Sequence, residues 1–400
     1  MRVKQKRAMQ LMNNWQTKKL GDIAKIYDGT HQTPTYIEQG VPFYSVEQVT
    51  ANNFENTKFI AEDVYEKECR RVMIENGDVL MTRIGDIGTA RYVDWSPKAS
   101  FYVSLALIKP TGINGRFLSY VINSYYFQKE LWKRSLTVAF PYKINLGDIG
   151  KSVLLIPEKP EQERIVAVLE TWDEYIEKLE QKIALKEQLK KGLMQQLLTG
   201  KRRLPKFKNE WYEATLADLV EITTGRKDVN QGNPNGIYPF FTCSRKHTYS
   251  DEYSFDTEAI LIAGNGDVGH CKYYIGKFEA YQRTYVLSNF DKVSAQYIFP
   301  FMRHYFQHFI DSQKQMGAMP FIKVGMLRDF TIVLPKDRAE QEAISGIVKF
   351  ADDEIDFLNK KLSSIKLQKK YLLKNLITGT IRTPEDLQPL NTTRLERSAL

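Results

Sequence analysis

The chain has few cysteines, no long apolar run and no cluster of metal-binding side chains. Its three cysteines, Cys69, Cys243 and Cys271, are widely spaced among 400 residues and form no C-x-x-C pair, which argues against a disulfide framework and a zinc site. No apolar run reaches the roughly 18 residues of a membrane span, and the basic N-terminal segment lacks the apolar stretch of a secretory signal. These absences predict a cytoplasmic protein that binds no metal and no membrane.

Motifs that would identify an enzyme are also missing. The Asn/Asp-Pro-Pro-Tyr/Phe tetrapeptide of amino-methyltransferases does not occur, and "NLGDIGKS" at 145–152 lacks the first glycine of a P-loop. His304 and His308 are four residues apart on a predicted helix, but no third ligand accompanies them, so a packing or surface role is the better interpretation. The sequence predicts no catalytic residue and no cofactor bound by this chain.

Positive charge is what the chain has in excess. It carries 57 lysines and arginines against 48 aspartates and glutamates, a net charge of +9 at pH 7. A basic protein favours an acidic partner, and nucleic acid is the most common one. The length of 400 residues allows two or more domains with a large core.

One glycine-rich segment raises a different possibility. "AILIAGNGDVG" at 259–269 contains the G-x-G-x-x-G of dinucleotide-binding proteins, with Gly264, Gly266 and Gly269 after a strand-like run. That fingerprint requires a helix to begin at the glycines, so that the helix N-terminus holds the pyrophosphate. The residues that follow are aromatic and β-branched and have no helical period. We therefore interpret the glycines as a strand–turn–strand element, and a nucleotide-dependent enzyme is the weaker hypothesis.

The sequence contains an internal repeat. The matching segments, in the same order in both copies, are 15–30 with 211–226, 85–88 with 266–269, 140–165 with 319–344, and 197–203 with 376–382. Examples are "GDIG" with "GDVG" and "LLTGKRR" with "LITGTIR". Because four ordered matches are hard to produce by chance, the chain is interpreted as a tandem duplication of one unit.

Each copy combines a β-rich part with one long helix. The β-rich parts have short alternating runs of aromatic and β-branched residues between turns, with helices predicted over 114–134 and 294–313. Long helices are predicted over Glu161–Thr199 and Glu340–Thr378, each followed by a glycine. Apolar residues at alternating spacings of three and four form a coiled-coil seam on each helix. The predicted packing residues are Ile165, Leu169, Trp172, Ile176, Leu179 and Ile183 on the first helix, and Val348, Ala351, Ile355, Leu358, Leu362 and Ile365 on the second.

A seam of this length is buried only against another helix, so we expect the two long helices to pack on each other. For the two β-rich parts to lie apart, the helices must run antiparallel with one part at each end. A helix of ~38 residues is roughly 57 Å long at 1.5 Å per residue, which matches about 17 base pairs of DNA. The predicted fold class is α+β: two mixed α/β domains separated by an antiparallel pair of long coiled-coil helices, in a pseudo-two-fold tandem repeat.

The β-rich parts differ between the copies far more than the helices do, which predicts one scaffold that recognises two unlike targets. Arginine, asparagine, glutamine, serine and threonine can read base edges, lysine and arginine neutralise phosphates, and a glycine turn lets backbone N–H groups approach a phosphate. In the first copy the candidate DNA contacts are Thr30, His31, Tyr44, Ser45, Arg83, Gly85, Asp86, Thr89, Arg91, Tyr102, Ser104, Arg134, Tyr142 and Lys143. In the second copy they are Arg226, Lys227, Arg245, Lys246, His247, Asn265, Gly266, Asp267, Gln282, Arg283, Tyr285, Lys314 and Lys323.

These features together resemble the specificity (S) subunit of type I restriction–modification systems. The resemblance extends from about Trp15 to Arg382 and rests on "KKLGDIAKIYDGT", on "IPEKPEQERI" and "VLPKDRAEQEAI" before the long helices, and on "LLTGK" and "LITGT" after them. The second copy departs from the first, since "LADLVEITTG" matches "LGDIAKIYDG" loosely and "VLPKDRAEQE" contains fewer prolines. Residue roles in the second copy are correspondingly less well defined by the resemblance.

The resemblance implies a non-catalytic DNA reader. Two target recognition domains, residues 1–158 and 204–337, would each bind one half of a split, asymmetric site in double-stranded DNA. Two spacer segments, the first helix with its linker at 159–203 and the second helix at 338–382, would separate these domains and dock two methyltransferase (M) subunits, which bind S-adenosylmethionine and methylate adenine N6. Two restriction (R) subunits would add ATP- and Mg-dependent translocation and cleavage. Residues 383–400 are expected to be a polar tail.

A third hypothesis is a coiled-coil scaffold protein that does not recognise DNA sequence. The divergent β-rich parts argue against it, because a spacer needs no variable faces.

Overall fold

The computed structural model describes residues 15–138, 140–312 and 321–387. The chain divides into two compact units, the first comprising residues 1–179 and 361–400 and the second residues 180–360. Each unit therefore contains one β-rich part and about half of each long helix, whereas the sequence had suggested boundaries at the helix ends. None of the helices in the described ranges is long and apolar enough to cross a membrane.

Within its described residues, the first β-rich part contains nine short strands, five short α-helices and a 3-10 turn at Leu20–Asp22. The strands are β1 (Gln16–Lys19), β2 (Ala24–Asp28), β3 (Val41–Tyr44), β4 (Lys58–Ile60), β5 (Val79–Thr82), β6 (Ala90–Tyr92), β7 (Ser100–Phe101), β8 (Leu105–Pro110) and β9 (Val153–Ile156). The helices are α1 (Val46–Ala51), α2 (Glu62–Cys69), α3 (Gly115–Asn123), α4 (Tyr125–Arg134) and α5 (Leu146–Gly150). The long helix α6 (Lys159–Leu197) follows.

The second β-rich part repeats much of this order. Its strands are β10 (Trp211–Thr215), β11 (Glu221–Thr224), β12 (Tyr238–Phe241), β13 (Thr248–Ser250), β14 (Phe255–Ala263), β15 (Cys271–Ala280), β16 (Thr284–Ser288) and β17 (Thr331–Pro335). Its helices are α7 (Leu216–Leu219), α8 (Ala295–Phe301), α9 (Gln307–Ser312) and α10 (Val324–Arg328), with a π-helical turn at Met302–Phe306. The long helix α11 (Arg338–Ile377) closes the repeat.

The two central sheets share one topology. In the first unit the strand order is β2-β8-β5-β6, and in the second it begins β11-β16-β14-β15. All neighbours in these four-strand orders are antiparallel. A two-stranded ribbon accompanies each sheet, β1 with β9 and β10 with β17. The α+β class and the tandem repeat predicted from the sequence are thus confirmed.

The copies differ where one long strand replaces two short ones. β15 is a single strand of 10 residues that pairs with both β14 and β12, so the second sheet has six strands. In the first unit the corresponding stretch is split into β6 and β7, and β7 joins a separate sheet of three strands. Pro97 lies in the gap between β6 and β7, and a proline lacks the N–H that a continuous ladder requires.

The two long helices are paired within each unit. In the first unit Lys369 of α11 forms an ion pair with Asp173 of α6, and Arg382, just after α11, pairs with Glu161 near the start of α6. Rising numbers on one helix meet falling numbers on the other, so the segments are antiparallel. In the second unit Lys186 pairs with Glu354 at 2.8 Å in the same sense. The predicted antiparallel pairing is confirmed for the helix segments of each unit.

Both helices begin two residues before the sequence prediction. The first turn of α6 includes Pro160, which is tolerated there because a helix leaves its first N–H groups without intrahelical partners. At the other ends, Gly200 and Gly379 have φ of +70° and +66°. Left-handed glycines of this kind terminate helices, as the sequence predicted.

The predicted packing residues all lie away from solvent to some degree. Ile165, Leu169, Leu179, Ile183, Val348, Ile355 and Leu358 are buried, and Trp172, Ile176, Ala351, Leu362 and Ile365 are half-buried. The ends of the helices belong to the cores of the β-rich parts. In the first unit Leu169 and Leu376 share a cluster with Phe117, and in the second Leu197 and Val348 share one with Tyr297.

The segments predicted as single helices at 114–134 and 294–313 are interrupted. The first breaks at Ser124, whose extended backbone ends α3 and whose hydroxyl caps α4 by accepting a hydrogen bond from the Phe127 N–H. The second passes through the π-helical turn at Met302–Phe306, just after Pro300. In both cases a capping serine or a proline, rather than the apolar period, sets the local geometry.

A cluster of side chains around buried Glu161 organises the first unit. The Trp15 indole N–H donates to Glu161 Oε2 at 3.1 Å, and the Arg382 guanidinium pairs with the same carboxylate. Thr383, predicted to begin a polar tail, is buried and its hydroxyl accepts a hydrogen bond from Arg164 Nε at 3.1 Å. The ordered chain therefore continues past 382, because this hydrogen bond holds Thr383 against α6.

The second unit repeats the cluster. The Arg203 guanidinium donates to both oxygens of Glu340 at 2.8 Å, and the Trp211 indole N–H donates to Glu340 Oε1 at 3.4 Å. Tryptophan, glutamate and arginine come from three of the four repeated sequence segments. The repeats match in sequence because their residues meet in one buried cluster in each unit.

Burial should make one cysteine unreactive. Cys271 begins β15, and burial raises the pKa of its thiol to about 12. Because the thiolate is the reactive form, we expect iodoacetamide at mildly alkaline pH to modify half-exposed Cys69 in the folded chain and to leave Cys271 intact. Mass spectrometry before and after unfolding in urea checks this. Equal modification of both cysteines in the folded chain would contradict the burial of Cys271.

Candidate nucleic-acid interface

Three strand ends meet at one edge of each central sheet. In the first unit Asp28 of β2 lies opposite Ala106 of β8, and Thr82 of β5 lies opposite Leu105. Since β8 runs antiparallel to both neighbours, the ends of β2 and β5 and the start of β8 share that edge. We call residues 28–31, 82–89, 102–104 and 142–143 the first edge.

The second unit has the same construction. Thr224 of β11 lies opposite Tyr285 of β16, and Ala263 of β14 lies opposite Thr284. We call residues 224–227, 243–247, 263–269, 281–285 and 321–323 the second edge. Most of the candidate residues taken from the sequence come from these two sets.

A glycine turn lies at the centre of each edge. Gly85 and Gly88 have φ of +83° and +94°, and Gly266 and Gly269 have φ of +62° and +80°. Each turn connects antiparallel strands, β5 to β6 and β14 to β15. The G-x-G-x-x-G of the second copy is therefore a hairpin, and the helix N-terminus that a dinucleotide requires is replaced by β15.

Several backbone hydrogen bonds are shared by the two turns. The Arg83 N–H donates to the Ser104 carbonyl at 2.9 Å, as the Gly264 N–H donates to that of Arg283 at 2.9 Å. Likewise, the N–H of Ile144 donates to the Arg83 carbonyl and that of Ile322 to the Gly264 carbonyl. Arg83 and Gly264 thus occupy one position, and Ser104 and Arg283 another. One backbone arrangement presents different side chains in the two units.

A carboxylate that the sequence analysis missed organises the first edge. Asp28 Oδ2 lies 2.8 Å from His31 Nε2 and 3.7 Å from Arg83 Nη2, and Arg71 pairs with Oδ1. Arg83 is only 7% exposed, its Nη1 donates to the Ile144 carbonyl at 3.2 Å, and its Nε has no hydrogen-bond partner among the residues that the structure describes. Burial lowers the pKa of the Arg83 guanidinium from its ordinary value. Asp28 therefore neutralises a buried cation and fixes the loops beside the turn.

The charged side chains of the second edge are more exposed to solvent than those of the first edge. The Arg245 N–H donates to Asp267 Oδ2 at 3.1 Å, and the Asp267 N–H donates to the Cys243 carbonyl at 3.1 Å, so the 243–247 loop is attached to the glycine turn. The Arg245 side chain is 81% exposed. Lys272, also missed, donates to the Ser244 carbonyl at 2.9 Å. Partial burial, helped by the Lys272 charge, lowers the pKa of His247, which favours a neutral imidazole.

Exposure divides the sequence-derived candidates into three groups. Exposed are His31, Gly85, Asp86, Tyr142, Lys143, Arg226, Arg245, Lys246, His247, Gly266, Asp267, Gln282, Arg283 and Lys323. Half-buried are Thr30, Ser45, Thr89, Arg91, Tyr102, Arg134, Lys227, Asn265 and Tyr285. Buried are Tyr44, Arg83 and Ser104, and Lys314 lies outside the described residues.

The buried candidates are corrections to the sequence analysis. The Tyr44 ring packs edge-on against Phe54 at 5.0 Å in the core, so it supports the fold instead of facing a ligand. Ser104 contributes its carbonyl to the turn, and Arg83 pairs with Asp28 inside the protein. Sequence alone gave these residues a polar, surface character that their strand-end positions do not allow.

The cationic side chains of three further candidates bind acceptors that lie away from the glycine turns. Arg91 Nε donates to the Val49 carbonyl at 2.9 Å, and its side chain lines a cleft of about 380 Å³ with Asp173. Arg134 forms a two-pronged ion pair with Glu130 on α4. Lys227 Nζ lies 2.9 Å from Glu252 and 3.7 Å from buried Glu279. Their cationic groups are engaged by acceptors within the chain.

No metal site accompanies these edges. The rings of His304 and His308 lie 5.6 Å apart and perpendicular. Within the described ranges no group of three histidine, cysteine or acidic residues is arranged to hold a metal ion.

Comparisons with known proteins agree with the repeated architecture. The model of the type I restriction modification DNA specificity domain matches the chain twice, over residues 12–190 and 208–367. The chain is 31% identical to the type I restriction enzyme EcoDI specificity subunit of Escherichia coli over 157 residues, which are 39% of this chain and 33% of that protein. It is 23% identical to a putative MjaX specificity subunit of Methanocaldococcus jannaschii over 93% of this chain and 95% of the relative.

Solved structures share the fold. The S subunit of a type I restriction–modification system from M. genitalium superimposes with a TM-score of 0.62 at 16% identity, covering 91% of this chain and 96% of that one. A chain from a study of complex assembly and conformational transition in a type I R-M system gives a TM-score of 0.59 at 15% identity, covering 92% and 99%. At these identities the likeness concerns the fold alone.

Proposed function

The chain belongs to the family of type I restriction–modification specificity subunits and is a non-catalytic DNA-recognition subunit, and from this premise we propose that each unit reads one half of a bipartite, asymmetric DNA site. Family membership decides against the coiled-coil scaffold and the nucleotide-dependent enzyme that the sequence left open.

The observation that carries the proposal is the matched backbone of the two edges with unlike side chains. The backbone groups of Arg83 and Gly264 make matching hydrogen bonds, but the first edge has the Asp28–Arg83 pair where the second has Gly264 and the exposed Arg245 and Arg283. Exposed arginines beside a flexible glycine backbone suit base edges and phosphates. Two identical half-sites would not require such a difference.

The proposal extends to the partners. The family works in complexes with other restriction–modification subunits and DNA. For this chain we propose two M subunits, which supply S-adenosylmethionine and methylate adenine N6, and two R subunits, which supply ATP- and Mg-dependent cleavage, all in the cytoplasm. Exposed apolar side chains on the long helices support docking there: Leu185, Leu189, Phe350 and Phe357 in the second unit, and Leu367 and Tyr371 in the first.

The test is methylation sequencing of a host that expresses this chain with its cognate M subunit, beside a host without the chain. We expect new adenine methylation on both strands at one split motif. The double variant Arg245→Ala/Arg283→Ala should relax the second half of the motif and keep the first, since a base-reading arginine contributes about 1–3 kcal/mol. Salt-dependent binding should lose up to about 2 units of log–log slope if both contact phosphate.

A matched control removes the same charge elsewhere. Lys206 and Lys208 are exposed in the linker before β10 and belong to neither edge, so Lys206→Ala/Lys208→Ala should leave the motif unchanged. If the M subunit binds the chain and no new methylation appears, the proposal fails.

A further inference from the structure

An apolar projection stands beside the glycine turn of the first unit. It consists of Trp132, Leu136, Val138, Phe140 and Tyr142, which we call the apolar finger. Val138 is fully exposed, and Phe140 and Trp132 are 89% and 53% exposed. Clustered apolar side chains at a surface mark an interaction site, whereas single ones do not.

The base of the finger is held by the protein. The Leu136 N–H donates to the Lys143 carbonyl at 2.7 Å, and the Lys143 N–H donates to the Leu136 carbonyl at 3.3 Å. The Gly85 N–H, in the glycine turn, donates to the Tyr142 carbonyl at 2.8 Å. These hydrogen bonds attach Leu136, Tyr142 and Lys143 directly to the first edge.

Aromatic contacts fix the orientation of the finger. The Tyr142 ring packs edge-on against Trp132 at 5.6 Å and against Phe140 at 6.0 Å. Trp132 comes from α4, so the cluster is connected to the helix that covers the turn. One side of Phe140 is supported by Tyr142, and the rest of its ring faces solvent.

The surroundings of the finger are basic. Lys143 is exposed at its base, and Lys133 is 65% exposed on α4, with its Nζ 3.8 Å from Glu130. Cations that can meet phosphates therefore flank side chains that water solvates poorly. This combination is typical of proteins that insert an apolar wedge between base pairs while lysine and arginine contact the backbone.

We propose that the apolar finger enters the DNA duplex at the half-site read by the first unit, and that Phe140 wedges between two adjacent base pairs and bends the DNA there. The inference rests on the proposed function, because it assumes that the first edge faces DNA. It assigns a site to Val138 and Phe140, whose side chains have no base-reading groups.

The second unit carries one counterpart. Phe321 is exposed next to Ile322, which is bonded to the glycine turn as Ile144 is in the first unit, and Lys323 Nζ lies 5.9 Å from its ring. Phe321 occupies the position of Lys143 in the first unit, so an exposed aromatic residue adjoins the glycine turn of the second unit as well. The wedge is assigned to the first unit, where the whole cluster is described.

The experiment uses the complex of this chain with its cognate M subunits, and DNA that contains the motif found by methylation sequencing. 2-Aminopurine at successive positions of the first half-site reports unstacking as increased fluorescence, and dyes at the DNA ends report bending by energy transfer. With the unaltered chain we expect one strongly fluorescent step and a bend. Phe140→Ala should abolish both signals and weaken binding about 10-fold, since stacking on an aromatic side chain contributes strongly to affinity.

Two further variants isolate the wedge. Phe140→Trp should keep unstacking and bending, because a large aromatic ring remains. Ile237→Ala truncates an equally exposed apolar residue that belongs to neither edge and should change nothing. Since the Phe140 ring is mostly in solvent, none of these changes should alter the thermal unfolding of the chain.

The outcomes separate the wedge from the proposed function. If Phe140→Ala binds and bends DNA like the unaltered chain, the wedge is wrong while DNA reading stands. If Phe140→Ala instead loses the M subunit and keeps the DNA signals, the finger is a protein contact and the proposal is overturned. If the unaltered complex neither methylates nor binds any site, the proposed function itself fails.

Discussion

Gly225→Ala is expected to cost on the order of 3–5 kcal/mol in the free energy of unfolding, because overpacking against rigid backbone lies at the severe end of point substitutions. A Cβ on Gly225 would lie 1.9 Å from the Ala280 carbonyl oxygen and 2.2 Å from its carbon. Both neighbours are backbone atoms at the end of β15, so no side chain can move aside. The end of β11 and the loop that follows it would have to separate from the sheet.

The first unit contains the same close contact between a glycine and a neighbouring backbone segment. A Cβ on Gly29 would lie 2.0 Å from the Phe101 carbonyl oxygen. Gly29 and Gly225 are the matching glycines of "YDGT" and "TTGR" in the two sequence copies. Gly29 lies within the first edge and Gly225 within the second. We therefore expect Gly225→Ala to reduce recognition of the second half-site as well as stability.

Gly346→Ala provides the matched control in the same unit. Gly346 lies within α11, and a Cβ there would meet nothing within 4 Å. Alanine should therefore stabilise the helix by about 0.5–1 kcal/mol. Urea unfolding and hydrogen exchange of the β11 amides measure both variants. Equal unfolding midpoints for Gly225→Ala and the unaltered chain would show that the contact between Gly225 and the Ala280 backbone is not tight.

Arg203→Met is expected to destabilise the second unit by about 3–5 kcal/mol, the usual cost of removing one partner from a buried ion pair. Glu340 is fully buried, and both of its oxygens accept hydrogen bonds from Arg203 at 2.8 Å. Without the guanidinium, the carboxylate keeps, among the described residues, only the Trp211 N–H at 3.4 Å. A buried carboxylate without its cationic partner lowers the free energy of unfolding far more than the intact ion pair does.

The double variant Arg203→Met/Glu340→Leu tests that explanation. Replacing both partners with apolar residues of similar size should recover most of the lost stability. Glu210→Ala, which removes an exposed pair with Lys336 at 3.4 Å, should change stability by less than about 0.5 kcal/mol. Thermal unfolding measures all three, and an Arg203→Met effect no larger than that of Glu210→Ala would refute the role of the buried pair.

Local patterns in the sequence were sufficient for the helices and the repeat. Heptad spacing from Ile165 to Ile183 requires only that neighbouring turns of one helix share a face, so it can be read without knowing the partner. The left-handed glycines Gly200 and Gly379 are likewise local signals. The break at Ser124 was missed because its capping hydrogen bond competes with an apolar period that continues on both sides.

The exposure of the candidate contacts was predicted less well, because it depends on distant segments. The sequence shows Arg83 in a glycine-rich turn and suggests a surface cation, whereas Asp28, 55 residues earlier, meets it inside the protein. The same segment that supplied Tyr142 and Lys143 also contains Val138 and Phe140. Their exposure was not predictable, because apolar residues between two helices usually belong to a core.

The sequence by itself determined that this protein is a duplicated, two-part chain with two long helices, because duplication and heptad periodicity are properties of residue order alone. Tertiary structure decided which strand ends share an edge, which charges are neutralised within the protein and which side chains remain exposed. These depend on antiparallel pairing between distant strands, where burial and a carboxylate within 4 Å change the role of an arginine that residue order leaves open.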